Sequence, residues 1–248
     1  MSYFNLIKLD ATSSTNDYIK QRRLNGNCKA GDLVWTTHQI AGRGQGNKKW
    51  VAETGKSLSM SVYRSFEYFP PSQAFALNTA FSSAIVGALK KLGIAQIKIK
   101  WPNDILSGDF KIGGILIENT LKNDQLVNSI MGFGLNINQA NFSNLPNAAS
   151  LYTRTNKKWN IDEVLETLCV SLEKDSFIDV LAHAKENLMT YNKNLWRKGE
   201  ITKFKNLNQS LQAKVMGVTK NGKLTISDSE GNETDIALSE ARMSYPLE

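Results

Sequence analysis

A short segment near the N-terminus combines glycines with positive charge. Residues 39–50, QIAGRGQGNKKW, place three glycines within five positions, with Arg43 between two of them and Lys48 and Lys49 shortly after. Glycines leave backbone amides open to close approach, and oriented amides beside cationic side chains bind anions. A phosphate or a carboxylate would suit this segment. A surface loop with unrelated charges is an equally good interpretation of these residues alone.

The common phosphate-binding motifs do not account for this segment. Gly55-Lys56-Ser57 resembles the end of a P-loop, but that motif needs a glycine five residues before Gly55, where the chain has Trp50. The glycines between residues 42 and 46 have the wrong spacing for a dinucleotide-binding fingerprint. We therefore interpret Gly55-Lys56-Ser57 as a turn before a strand.

A second group of chemically capable residues is Lys100-Trp101-Pro102-Asn103-Asp104. Proline fixes the backbone where a strand ends, and the Asn and Asp that follow favour a tight turn. Such a corner can direct Lys100 and Asp104 into a cleft. A plain hairpin turn is the alternative, although it gives no reason for a lysine and a tryptophan beside the turn.

Two later segments carry paired glycines inside predicted strands. They are Lys111-Ile112-Gly113-Gly114 and Gly132-Phe133-Gly134-Leu135-Asn136. Glycine weakens a strand unless a ligand or another part of the chain must come close to its backbone. A lysine beside such a gap could meet an anion, whereas a strand edge or a bulge is the alternative.

The pattern of apolar residues predicts the elements that must position these groups. A helix is predicted over residues 13–26, and the most regular helical spacing lies between Ser72 and Leu92. A further helix is predicted from Asn160 to about Leu188. The predicted strands are residues 33–38, 57–63, 97–101, 111–120 and 125–138, the last two as an antiparallel pair.

The chain changes character after Trp196. Short β-like runs (EITKFK, LQAKVMGV, KLTISD and ETDIAL) follow at close spacing, with Asn221-Gly222 and Glu230-Gly231 as turn signals. A unit of this size buries little core alone, so we expect it to pack on the larger part. The predicted domains are therefore residues 1–196 and residues 197–248.

The composition excludes some classes of protein. The net charge of +7 could serve a nucleic acid, an acidic protein or a phosphorylated ligand, but the lysines form no block, which favours an ordinary basic surface. The two cysteines and two histidines lack metal-ligand spacing. No apolar run reaches the roughly 18 residues of a membrane span. The N-terminus lacks the order of a signal peptide, so a cytoplasmic protein is expected.

Taken in order, five short motifs resemble those of the biotin protein ligases, also called biotin–acetyl-CoA-carboxylase ligases. The motifs are STN from residue 14, GRGQ from residue 42, KWPND from residue 100, KIGGILIE from residue 111 and GFGLNIN from residue 132. The resemblance covers most of residues 10–140 and implies an α+β fold. That fold has a mixed β-sheet flanked by helices, similar to class II aminoacyl-tRNA synthetases and lipoate ligases, and a small C-terminal SH3-like β-barrel.

The resemblance also implies a reaction in two steps. The carboxylate of biotin attacks the α-phosphorus of ATP, with Mg²⁺, to give biotinyl-5′-AMP and pyrophosphate. The ε-amine of one lysine on a biotin carboxyl carrier protein then attacks the mixed anhydride. The first step brings two anions together, so it needs cations and fixed amides that offset their repulsion.

The resemblance carries roles onto particular residues of this chain. The implied catalytic residues are Arg43, Lys100, Lys111 and Asp104. The implied biotin-binding residues are Ser14, Thr15, Gln39, Gly42, Arg43, Trp50, Lys111, Gly114 and Gly132. The implied nucleotide-binding residues are Arg43, Gln45, Lys48, Lys100, Asn103 and Asn136, while the ligands of Mg²⁺ stay open.

The chain departs in one motif from the family that it resembles, and the resemblance leaves some alternatives open. Many members continue GRG with further arginines, whereas this chain has Gln45-Gly46-Asn47. Some relatives also carry an N-terminal DNA-binding domain. Because the motifs begin within the first 16 residues, we expect a form without that domain, no DNA binding and no membrane attachment; the resemblance allows a homodimer. A lipoate–protein ligase and a noncatalytic biotin or nucleotide sensor are the alternatives, and GRGQ with KWPND favours biotin.

Overall fold

The larger part of the molecule is built on one seven-stranded sheet. The computed structural model describes residues 3–46, 48–143, 145–206 and 210–246. The strands of the sheet are β1 (Asn5–Lys8), β2 (Asp32–Thr36), β5 (Ser57–Ser65), β6 (Ile97–Lys100), β7 (Asp104–Ser107), β8 (Phe110–Lys122) and β9 (Gln125–Asn136). Their order is β1-β2-β5-β9-β8-β7-β6. Only β1 and β2 pair in parallel among these neighbours, so the predicted mixed sheet is confirmed.

Helices cover both faces of this sheet. They are α1 (Thr15–Leu24), α2 (Phe75–Lys91), α3 (Leu151–Thr155), α4 (Ile161–Leu172), α5 (Asp175–Ile178) and α6 (Ala184–Lys193). Side chains alternate along a strand, so Val34 of β2 packs with Ile19 of α1 on one face. Leu58 and Met60 of β5 share the main core with α2 and α4 on the other. Among the described residues, no helix combines the length and apolar character needed to cross a bilayer.

The predicted helix from residue 160 to residue 188 is wrong in its continuity. The structure divides it into α4, α5 and α6. The guanidinium of Arg64 on β5 donates to the carbonyl oxygens of Phe177 at 2.7 Å and Ile178 at 2.8 Å. The carboxylate of Asp179 then accepts from the amide of Ala182 and starts a new turn. Tertiary contacts therefore override a regular helical pattern here.

The other two long helices agree with their predictions. The side chain of Ser14 accepts from the amide of Asp17 and caps α1. A short 3-10 turn at Pro71–Gln73 leads into α2. The strands β1 and β7 are not among the predicted ones, and β7 begins at Asp104, which the sequence pattern assigns to a turn.

The C-terminal part forms a separate antiparallel sheet. Its strands are β10 (Ile201–Asn206), β11 (Ser210–Val218), β12 (Leu224–Ser227), β13 (Glu233–Ile236) and β14 (Ala241–Met243). Their order is β13-β12-β11-β10-β14. The small β-domain is confirmed, and β14 is a strand of three residues that the sequence pattern did not reveal.

The small sheet packs firmly on the larger part. The indole nitrogen of Trp101 donates to the carbonyl oxygen of Gly222 at 2.9 Å. The amide of Asn192 in α6 makes two hydrogen bonds with the backbone of Val218 in β11. Buried residues of both parts belong to one continuous apolar cluster. The boundary between residues 196 and 197 stays a prediction.

Candidate active site

The floor of the site is one transverse row of residues across five strands. Ser59 of β5 lies opposite Gly134 of β9, which lies opposite Gly114 of β8. Gly114 in turn lies opposite Asp104 of β7, and Asp104 lies opposite Lys100 of β6. Residues in register across a sheet share a face. The row therefore offers bare backbone at its centre and charge at one end.

A second row carries neutral polar groups beside the N-terminus of α1. Ser61 of β5 lies opposite Gly132 of β9. The hydroxyl of Ser61 is 2.7 Å from the Thr15 hydroxyl and 2.6 Å from the amide oxygen of Asn16. A Cβ at Gly132 would collide with that amide oxygen. Gly132 is therefore needed for the close approach of α1 to the sheet.

The glycine-rich segment is a tight β-hairpin that covers this floor. Its strands are β3 (Gly42–Arg43) and β4 (Lys49–Trp50), and Asn47 lies outside the described residues. The indole of Trp50 lies directly on Gly134, where a Cβ would collide with the ring. The indole N–H is buried and has no hydrogen-bond partner in the described part of the chain.

Arg43 is held by two carboxylates. Its guanidinium is 2.6 Å from Asp17 and 2.8 Å from Glu118. Glu118 also accepts from Lys20 at 2.6 Å and from Asn16 at 2.8 Å. Burial raises the pKa of Glu118, but its bonds with Lys20, Asn16 and Arg43 outweigh burial and hold that pKa below its ordinary value. The pair fixes the hairpin to α1 and β8.

The charged end of the first row is built around Asp104. Its carboxylate is 2.5 Å from the ammonium of Lys111 through one oxygen and 2.7 Å from the hydroxyl of Tyr245 through the other. Burial raises the pKa of Asp104, but the ammonium groups of Lys111 and Lys100 outweigh it and lower that pKa below its ordinary value. The side chain of Lys111 extends over Gly114. Lys100 of β6 is only 7% exposed, so its side chain is buried within the site and does not extend into solvent.

Most of the predicted site residues line one cleft. They are Ser14, Thr15, Gln39, Arg43, Gln45, Lys48, Trp50, Lys100, Asn103, Asp104, Lys111, Gly114 and Gly132. Gly42 and Asn136 do not lie on its wall. Gly42 packs against the Trp50 backbone, where a Cβ would collide. Asn136 is the last residue of β9 and lies beyond the end of the floor. Its buried side chain donates to the carbonyl oxygen of Ala149.

Sequence reasoning missed several residues of the cleft. The missed residues include Ser59, Leu238 and Arg242, while Asn16 and Gly134 belong to recognised motifs but were given no role of their own. The alternation of Ser57, Ser59 and Ser61 along β5 is a signal that could have indicated a floor of small residues. Leu238 and Arg242 come from the C-terminal part, and no local pattern links them to the floor.

Comparisons with known proteins agree with this architecture. The family model described as "Biotin/lipoate A/B protein ligase family" matches residues 9–136. A structure titled biotin protein ligase from Aquifex aeolicus in complex with biotin and ATP superposes with TM-score 0.78 at 25% identity, covering 97% of this chain and 99% of that chain.

Curated relatives match over different lengths. The bifunctional ligase/repressor BirA of Salmonella typhimurium is 34% identical over 133 residues, which are 54% of this chain and 41% of the relative. The chain thus spans about two fifths of that relative's length. The Bacillus spizizenii protein of the same name is 29% identical over 236 residues, covering 91% of this chain and 70% of the relative. Since the family match extends over more than half of its 248 residues, the chain belongs to the biotin/lipoate A/B protein ligase family.

Proposed function

We propose that the chain is an ATP-dependent ligase that activates biotin as biotinyl-5′-AMP and transfers it to a lysine of a biotin carboxyl carrier protein. The observation that carries the proposal is the meeting of Arg43, Lys100 and Lys111 around one cleft with a neutral, glycine-floored half. The triphosphate of ATP needs the cations. The uncharged ring of biotin, which carries an acid tail, needs the neutral half.

The cations meet the electrostatic need of the first step. A carboxylate oxygen of biotin attacks the α-phosphorus of ATP, and the bond to the β-phosphate oxygen breaks to release pyrophosphate. Lys100 and Lys111 both neighbour Asp104, so their ammonium groups approach the same part of the floor. Cations held in place before the reaction reduce the repulsion between the two anions without further reorganisation.

The neutral half of the cleft suits the vitamin. The amide of Thr15 donates to the side-chain oxygen of Gln39 at 2.9 Å, which orients both residues. The serine and threonine hydroxyls there can donate and accept, as a ureido ring requires. The indole of Trp50 would cover the ligand, which requires the ring to move off Gly134.

The second step needs a positioned amine. The neutral ε-amine of the acceptor lysine attacks the carbonyl carbon of the mixed anhydride, the bond from that carbon to the phosphate oxygen breaks to release AMP, and the nitrogen loses one proton to water. With its lowered pKa, Asp104 is a weak base at neutral pH. We therefore assign it the task of holding Lys100 and Lys111 in place.

Magnesium would arrive with the nucleotide. No group of three or more His, Cys, Asp or Glu side chains that could hold a metal exists in the described ranges. Both oxygens of Asp104 already have partners. Mg²⁺ commonly keeps several waters and binds through substrate phosphates, so the residues present fit an ion carried by ATP.

Incubation with either vitamin tests the proposal. The purified chain is mixed with ATP, Mg²⁺, an apo-carrier domain and biotin or lipoate, and the carrier is analysed by streptavidin blot and mass spectrometry. We expect biotin on one lysine, and none on a carrier in which that lysine is arginine. Modification with lipoate alone would favour the lipoate ligase alternative. Binding without pyrophosphate release would favour a noncatalytic sensor.

The remaining partner predictions belong to the same proposal. We expect no sequence-specific DNA binding, because the lysines are spread along the chain, and a gel shift with a tight, specific band would contradict this. The acidic surface of a carrier protein would instead meet the basic surface. Light scattering on the purified chain would decide whether it forms a homodimer.

A further inference from the structure

The C-terminal part inserts one side chain into the charged end of the floor. Tyr245 follows β14, and its hydroxyl donates to Asp104 at 2.7 Å. The ammonium of Lys100 lies 4.1 Å from the centre of the same tyrosine ring. Tyr245, the second residue after the last strand, therefore contacts two of the four residues implied in catalysis.

The surroundings hold this tyrosine in one orientation. Its ring centre is 6.1 Å from that of Trp196, with an angle of 40° between the planes. The backbone amide of Ser244 donates to the carbonyl oxygen of Lys203 on β10. A ring packed on one side and a backbone tied to the small sheet leave the hydroxyl directed at Asp104.

The two oxygens of Asp104 are thus divided between two partners. Lys111 binds one oxygen and Tyr245 binds the other, so the carboxylate is held from opposite parts of the molecule. A hydrogen bond to an ionised acceptor is stronger than one between neutral groups. Loss of the tyrosine hydroxyl leaves the carboxylate with Lys111 as its partner on one oxygen only, so Asp104 holds the two lysines less firmly.

We propose that Tyr245 is a positioning residue that holds Asp104 and Lys100 in the geometry required for adenylation. The proposal rests on the proposed function. Because Tyr245 contacts the charged end of the floor, its loss lowers kcat of biotin-dependent ATP–pyrophosphate exchange far more than it raises KM for biotin.

Two substitutions separate the hydroxyl from the ring. Tyr245→Phe keeps the ring over Lys100 and removes the hydrogen bond, and we expect kcat to fall about tenfold. Tyr245→Leu removes both contacts, and we expect a fall of about a hundredfold. The control Tyr68→Phe removes a hydroxyl from an exposed tyrosine and should leave the rates unchanged.

A double-mutant cycle tests whether Tyr245 acts through Asp104. In an Asp104→Ala background, Tyr245→Phe should change kcat by less than about twofold, because the acceptor is already gone. A full tenfold loss in both backgrounds would overturn the proposal. Faster ATP–pyrophosphate exchange in Tyr245→Leu than in the parent chain would also overturn the proposal, since the tyrosine would then obstruct the cleft.

Hydrogen–deuterium exchange gives a readout that does not depend on the reaction. Amides in residues 97–107 should exchange faster in Tyr245→Leu than in the parent chain or in Tyr68→Phe. A parent chain that reacts with neither vitamin would contradict the proposed function. The hydrogen–deuterium exchange data would still decide whether Tyr245 holds residues 97–107 in place. An active parent chain with unchanged kinetics and exchange in both Tyr245 variants would refute the positioning role alone.

Discussion

At the scale of single residues, the cations of the site are positioned by acids. Arg43 is fixed by Asp17 and Glu118, and Lys111 is fixed by Asp104. A charge that is oriented before the reaction stabilises the transition state without the free-energy cost of reorganising the site during the reaction. The acids of the site therefore matter as much as the cations.

Lys111→Ala should abolish most adenylate formation. The substitution removes the ammonium that lies over Gly114 and releases Asp104 from its ion pair. We expect biotin-dependent pyrophosphate exchange to fall by about a hundredfold or more, as for other preorganised charges. Lys122→Ala, at the exposed end of the same strand, is the matched control. Equal rates in the two variants would refute the role of Lys111.

Arg43→Ala should weaken the same exchange reaction. The variant loses one cation and also the link that ties the hairpin to Asp17 and Glu118. We expect kcat/KM for biotin to fall by about tenfold, which corresponds to one charged hydrogen bond. Arg43→Lys keeps the charge but loses the planar guanidinium, so its rate should lie between those of the parent chain and Arg43→Ala. A rate for Arg43→Ala equal to that of the parent chain would contradict the assignment.

Glu118→Gln should change how stability depends on pH. The pKa of Glu118 is lowered in the folded chain, so its contribution is complete above the ordinary glutamate pKa of about 4.3 and is lost as pH falls below it. We expect the variant to be less stable than the parent chain at pH 7. The difference in Tm, followed by circular dichroism, should shrink steadily between about pH 5 and 3. A difference that stays constant over this range would rule out the carboxylate as its source.

At the scale of elements, the period of two along each strand decides where the ligand can lie. The alternation places Gly114, Gly132 and Gly134 on the face covered by α1, together with Ser59 and Ser61. Apolar side chains between them face α2 and α4. The sheet thus carries the main apolar core on one side. On the other side, the bare backbone of the floor lies next to the smaller apolar cluster under α1.

Gly134→Ala should displace the indole of Trp50. A Cβ at this position would collide with the ring, and overpacking of this kind costs about 1–3 kcal/mol. We expect a lower free energy of unfolding, altered tryptophan fluorescence and weaker biotin binding. Gly87→Ala is the control, because it meets open space within α2 and should stabilise the chain by about 0.5–1 kcal/mol. Unchanged fluorescence in Gly134→Ala would contradict the contact.

The element scale also shows why some predictions succeeded. The helix α2 and the pair β8–β9 are long, and their periodicity depends on their own residues. The helix predicted over residues 160–188 is interrupted after α5, where Arg64, distant in sequence, binds two carbonyl oxygens. A local pattern contains no information about such a partner.

At the scale of the whole molecule, the C-terminal sheet is part of the site. Leu238 and Arg242 line the cleft, and Gly222 accepts a hydrogen bond from Trp101 beside the KWPND corner. The corner is also held by Tyr191 of α6, whose hydroxyl donates to the carbonyl oxygen of Pro102. The two parts of the chain therefore stabilise the corner together.

Gly222→Ala should destabilise the contact between the two parts. Gly222 has a positive φ, and a Cβ there would lie 2.7 Å from the ring of Phe75 at the start of α2. Gly231 has a similar φ but meets open space, so Gly231→Ala isolates the backbone cost of about 1–2 kcal/mol. We expect Gly222→Ala to cost about 1–3 kcal/mol more in urea unfolding. Equal losses of unfolding free energy in Gly222→Ala and Gly231→Ala would mean that the turn at Gly222 does not support the contact between the two parts.

The sequence by itself determined the family, the mixed sheet and about half of the residues that line the cleft. Those properties follow from short motifs and from periodic patterns, which are local. Only the tertiary structure decided that Arg43 is bound by two acids, that Asn136 is buried beyond the end of the floor and that Tyr245 contacts Asp104. Each of these depends on residues far apart in the chain that pack together, and the energy of such contacts has no counterpart in a local pattern.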